Sequence, residues 1–79
     1  MAATILVVED EPAIQELVAC NLELAGHRTL RAESAEQAMQ MVRDELPDLI
    51  VLDWMLPKVS GIEVCRRLRA RTETRNLPI

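Results

Sequence analysis

Two kinds of spacing separate the apolar from the polar positions of this chain. Two apolar runs are continuous: Thr4–Val8, rich in β-branched residues, and Leu49–Leu52. Short unbroken runs bounded by breakers read as strands buried on both faces. Pro47 marks the start of the second run, and Pro57 closes the loop behind it. Elsewhere the period is helical. Pro12 suits the first position of a helix, where its missing N–H costs little. Ile14, Leu17, Val18, Leu22 and Ala25 then make one apolar face, and Gly26 is placed to end that helix in a left-handed cap. His27–Ala32 is a shorter, weaker strand whose Arg28 and Arg31 suggest an edge position.

The remaining punctuation is equally local. Ser34 with Gln37 three residues on forms a capping box. Ala35, Ala38, Met39, Val42 and Leu46 line one side of the helix it opens, which ends at Leu46-Pro47. Ser60 caps a third helix with Ile62, Cys65 and Leu68 on its apolar side and Val64 flanking. Arg66, Arg67, Arg69 and Arg71 cover the rest as a solvated basic face. Asn76–Ile79 reads as the start of another strand. Three β-then-α units in succession predict an α/β fold with a parallel sheet and right-handed crossovers.

Composition narrows the picture. A chain of 79 residues is one small domain at most. Trp54 is the only aromatic residue, so the core must be aliphatic. A core of this size rarely supplies more than about 3–5 kcal/mol without help. The net charge of −4 gives no nucleic-acid footprint to the chain as a whole. The charge is uneven: residues 1–57 are net −8 and residues 58–79 net +4. Cys20 and Cys65 are isolated in helical patterns and read as small buried hydrophobes, which suits a reducing cytoplasm. His27, the one histidine, reads as a surface loop residue, and the Met39/Met41 pair as core filler plus surface. No apolar run approaches the ~20 residues of a membrane helix.

Both apolar runs end in acids. Thr4–Val8 is followed at once by Glu9, Asp10 and Glu11, and Leu49–Leu52 by Asp53. Open parallel sheets carry their chemistry beyond the carboxyl ends of their strands. If the first and third strands are neighbours, Glu9, Asp10 and Asp53 meet at one sheet edge. Carboxylates gathered there repel one another unless a cation sits among them or one takes up a proton. All-oxygen ligation suits Mg²⁺, Mn²⁺ or Ca²⁺ rather than zinc. Glu11 is accounted for as a residue at the helix start.

The stretches Ile5-Leu-Val-Val-Glu-Asp-Glu-Pro12 and Asp48-Leu-Ile-Val-Leu-Asp-Trp-Met-Leu-Pro57, with Ser60-Gly61, resemble the receiver domain of bacterial two-component response regulators, in its OmpR/PhoB group. The resemblance covers the whole chain. It implies a flavodoxin-like (CheY-like) doubly wound parallel sheet, here the first three of five β/α units, in strand order 2-1-3. It implies that Asp53 is the phospho-acceptor and that Glu9, Asp10, Asp53 and the backbone carbonyl of Met55 hold Mg²⁺ or Mn²⁺. It further implies a sensor histidine kinase as partner and control of transcription through a DNA-binding domain absent here. The family's Thr or Ser after the fourth strand and Lys after the fifth lie outside these 79 residues. An uncovered third strand, Leu49–Leu52, would invite pairing with a second copy.

Two other readings compete. Haloacid-dehalogenase-type phosphatases also use a strand-end Asp with Mg²⁺, but place a second acid two residues later, where this chain has Met55. The other is a metal-free interaction module that uses only its exposed edge.

Overall fold

The computed structural model describes residues 2–53, 56 and 59–79. The elements are β1 (Thr4–Val8), α1 (Pro12–Leu24), β2 (Arg28–Ala32), α2 (Ala35–Asp44), β3 (Leu49–Leu52) and α3 (Gly61–Arg69). The strands form one parallel sheet in the order β2-β1-β3, as the resemblance implied. β1 is central, and Ile5, Leu6, Val7 and Val8 are all buried. A strand flanked on both edges and covered on both faces needs a continuous apolar run, and β1 has one.

The two faces are filled unequally. Leu6, Val8, Ala32 and Ile50 meet Ala35, Ala38 and Val42 of α2 and Val64 and Leu68 of α3 in the main core, with Leu56 and Leu77 completing it. The opposite face carries α1, whose one fully buried residue is Ala19. Here the sequence expectation needs correcting. Ile14 is 48% exposed and Leu17 63%, and Ala25 is also exposed. The inward stripe of α1 runs instead through Gln15, Val18, Ala19 and Leu22, rotated so that a polar residue faces the sheet. Cys20 lies on the solvent side rather than buried, Cys65 is half-buried, and both are free thiols.

Smaller departures have similar causes. On α3 the buried positions are Gly61, Val64 and Leu68, while Ile62 is 53% exposed. Leu46 falls beyond the end of α2 and is exposed. β3 is buried only at Ile50; its other residues are half-buried, because it is an edge strand with one face open. The expected further strand at Asn76–Ile79 is reduced to a single β3 bond, from the Ile50 N–H to the Pro78 carbonyl at 3.0 Å.

Caps and turns follow local rules. Gly26 has φ +94°, and the bonds Gly26 N–H to Glu23 O and His27 N–H to Leu22 O, both 3.0 Å, close α1 in a Schellman motif. Ser34 accepts from the Gln37 N–H at 3.2 Å, and Gln37 Oε1 reaches back to the Glu33 N–H at 2.6 Å, one residue earlier than a standard capping box. Ser60 accepts from the Glu63 N–H at 3.2 Å. His27 is half-buried, and its Nδ1 accepts the Ala3 N–H at 3.1 Å. Met39 and Met41 are both partly buried against the core.

The burial pattern sets an order of sensitivity. Leu6→Ala should lower the unfolding free energy by about 3 kcal/mol, most of what a core this small provides. Leu17→Ala, at an exposed site, should change it by no more than about 0.5 kcal/mol. Urea unfolding followed by far-UV circular dichroism measures both. Equal losses would mean that α1 is seated through the face containing Leu17.

Candidate metal centre

The parallel register aligns the ends of two strands. Val8 pairs with Leu52, so the residues that follow them, Glu9 and Asp53, leave the sheet side by side. The Asp53 N–H donates to Val8 O at 3.1 Å and extends the pairing to the acid itself. On the other side, the Glu9 N–H donates to Ala32 O at 3.0 Å. The peptide unit joining Val8 to Glu9 is thus held from both neighbouring strands.

Carboxylate oxygens of Glu9, Asp10 and Asp53 all lie within 4.8 Å of one another. Glu9 and Asp53 are half-buried and Asp10 is exposed. Like charges at this distance repel by about 1 kcal/mol per pair even in bulk water, and by more when partly desolvated. Glu9 shows the result. Its carboxyl is pushed above the usual carboxylate range, chiefly by burial, while a bond from the Glu11 N–H pulls it down and Asp10 and Asp53 push it up. That bond, Glu11 N–H to Glu9 Oε2 at 3.1 Å, fixes one oxygen of the carboxylate. A convergent set of carboxylate oxygens, with no nitrogen or sulfur donor among them, fits a hard divalent cation. Glu11 stands at the N-cap of α1 without a side-chain cap bond, apart from this group. Met55, whose carbonyl was the fourth expected ligand, lies outside the described residues, as do Trp54, Pro57 and Lys58.

One supporting residue was not foreseen. Gln15 Nε2 donates to Glu9 O at 3.1 Å and to Ala32 O at 3.0 Å, tying α1 to the turn that carries the acids. Its signal in the sequence is a polar residue on the helical stripe shared with Val18, Ala19 and Leu22.

Comparison with known proteins fits this arrangement. Residues 5–79 match the family model for the response regulator receiver domain. The chain belongs to that family. The phosphate regulon transcriptional regulatory protein PhoB of Pseudomonas aeruginosa is 51% identical over 76 residues, which are 96% of this chain and 33% of that protein. PhoB of Rhizobium meliloti is 54% identical over 82 residues, covering all of this chain and 35% of that protein. The likeness to the phosphate-regulon regulator expected from the Asp53-Trp-Met-Leu-Pro57 motif is therefore present, and the chain spans about a third of the length of these relatives. Among solved structures, the N-terminal domain of a response regulator receiver protein from Methanoculleus marisnigri superposes with a TM-score of 0.93 at 36% identity, over 96% of this chain and 62% of that one. The response regulator TrrA of Thermotoga maritima, solved with Mg²⁺ and BeF, has a TM-score of 0.84 at 37% identity, over 89% and 61%. The receiver fold is thus the fold of this chain, and its relatives are transcriptional regulators. No helix among the described residues is long and apolar enough to cross a membrane.

The electrostatics carry a pH dependence. A raised Glu9 pKa favours the protonated carboxyl in the folded state, so its contribution to stability is present at low pH and lost as the pH rises through the folded value. In EDTA, Glu9→Gln should therefore raise the melting temperature at pH 7 and lose most of that advantage below the ordinary glutamate range. Thermal melts at the two pH values test this; an equal shift at both would show that neither burial nor the neighbouring acids disfavour the ionised Glu9.

Proposed function

We propose that this chain is the N-terminal part of a phospho-acceptor receiver, comprising the first three β/α units, in a response regulator that controls transcription. Asp53 is its phospho-acceptor. Glu9, Asp10, Asp53 and the Met55 carbonyl would hold Mg²⁺ or Mn²⁺. The convergence of three carboxylates at the ends of β1 and β3 carries this reading. Membership of the receiver family and the Mg²⁺-containing structure of its relative TrrA support it.

Asp53 sits where β3 opens into its loop, backbone anchored to Val8, so its carboxylate is presented at a fixed point beyond the sheet. There it serves as the nucleophile toward a phosphoryl group on a kinase histidine or a small phosphodonor. Glu9 and Asp10 place negative charge beside it. Mg²⁺ held by these carboxylates would supply positive charge to offset the carboxylate and phosphoryl oxygens. Phosphoryl transfer does not make the chain an enzyme in its own right, since Asp53 is the acceptor and not a turnover catalyst. The proposed partners are a sensor histidine kinase and a second copy of this chain through the open edge of β3. DNA would be reached through another part of the whole protein and not by these residues, and the setting is the cytoplasm.

Metal binding is separable from phosphorylation. Trp54 follows Asp53 and is the only tryptophan, so its fluorescence should respond to Mg²⁺ or Mn²⁺, and Asp10→Ala should abolish the response. An unaltered response in that variant would remove these acids from the site, and no response in the wild type would favour the metal-free interaction module.

Phosphorylation of the 79-residue chain should be poor. The family's Thr or Ser and Lys contacts to the phosphoryl group lie outside these 79 residues, and preorganised contacts of this kind are worth about 3–4 kcal/mol each in rate. Intact mass after incubation with acetyl phosphate and Mg²⁺ should show little added phosphoryl. Prompt, near-complete addition would mean that the three carboxylates suffice.

A further inference from the structure

Gln15, in the first turns of α1, brackets the turn that carries two of the three acids. Its Nε2 donates to Glu9 O at 3.1 Å and to Ala32 O at 3.0 Å, and Ala32 O also accepts the Glu9 N–H at 3.0 Å. Its main-chain N–H donates to Glu11 O at 2.9 Å. One residue therefore holds the chain immediately before Asp10 and immediately after it. The side-chain amide offers two N–H donors, and two carbonyls take them.

Packing does little to fix this turn. Asp10 is exposed, so its carboxylate goes where its main chain is held. The apolar anchor of α1 is thin as well: Ala19 is its one fully buried residue, while Ile14 and Leu17 are exposed. Polar bonds at the start of α1 make up the difference. The Glu9 carbonyl and the Asp10 N–H lie in one rigid peptide plane, so a bond at Glu9 O sets the direction in which the chain enters Asp10.

We propose that Gln15 is the positioning residue of the acid cluster. Its two amide donors hold the Glu9–Asp10 peptide so that the Asp10 carboxylate converges with those of Glu9 and Asp53 on one divalent cation. It acts through the main chain and not as a ligand. A glutamine that only seated α1 could bond any carbonyl at the end of the sheet. Here both bonds converge on Glu9, one at its carbonyl and one at the acceptor of its N–H.

The inference rests on the divalent-cation reading proposed above, and its test separates the two. Mn²⁺ is titrated into the full chain, with free Mn²⁺ read from its electron paramagnetic resonance spectrum. Gln15→Met, of similar length but without a donor, should weaken binding roughly tenfold, as is usual for loss of a group that orients metal ligands. Gln15→Ala, which also lacks the donors, should lose as much. Gln15→Arg presents planar N–H donors again and should bind more tightly than Gln15→Met, although its charge opposes a cation. Val42→Ala, a core change on α2, should lower the urea midpoint and leave the affinity of the folded chain unchanged. Far-UV circular dichroism identifies the folded variants to be compared. Wild-type affinity in Gln15→Met or Gln15→Ala, with Asp10→Ala still losing the ion, overturns the role of Gln15 and leaves the metal centre standing. An equal loss in Gln15→Arg or in Val42→Ala overturns it too, since the effect would then not follow the donors. A wild type that binds no Mn²⁺ overturns the metal reading and this inference with it.

Discussion

The pairing of Val8 with Leu52 is the constraint on which the candidate site depends. Glu9 and Asp10 gain Asp53, far away in the sequence, as a neighbour because two parallel strands end at the same level. A shift of one residue in that register would move Asp53 along the sheet and turn the apolar set of β3 to the wrong face. The register is held by packing, since Leu6 and Val8 of β1 and Ile50 of β3 are buried in one core with α2 and α3. Packing of the sheet and assembly of the site are therefore one event.

That dependence puts an electrostatic cost into the fold. The residues ending β1 and β3 gather negative charge, and the Glu9 carboxyl is raised above its usual range, first by its burial and further by Asp10 and Asp53. Natural folds tolerate such strain where it serves a purpose, usually at a ligand or reaction site. The structure supports the crowded turn through Gln15, whose amide bonds both Glu9 O and Ala32 O.

Much of this was legible in the sequence because the signals are local. Unbroken apolar runs located β1 and β3, Ser34 and Ser60 located helix starts, and Gly26 located a helix end. Glu9, Asp10 and Asp53 were found because acids directly follow apolar runs. What failed depended on neighbours. The apolar spacing of α1 suggested that Ile14 and Leu17 face inward, whereas the observed stripe includes Gln15. Periodicity shows that a helix has a face, but the burial of that face depends on what packs against it. The same limit explains β3. Its composition is that of a strand covered on both sides, but in this chain one side opens onto a groove. Gln15 escaped notice because a lone glutamine in a helix has no signature until its acceptors are placed.

Broadening of backbone amide NMR signals by substoichiometric Mn²⁺ tests most directly whether the three acids act as one metal site. The signals of Val8 to Glu11 and of Leu52 and Asp53 should disappear first, while those of α2 and of the Arg28–Glu45 region persist. Broadening spread over exposed acids such as Glu16, Glu36 and Asp44, with Glu9 and Asp53 no more affected than they are, would contradict a shared site.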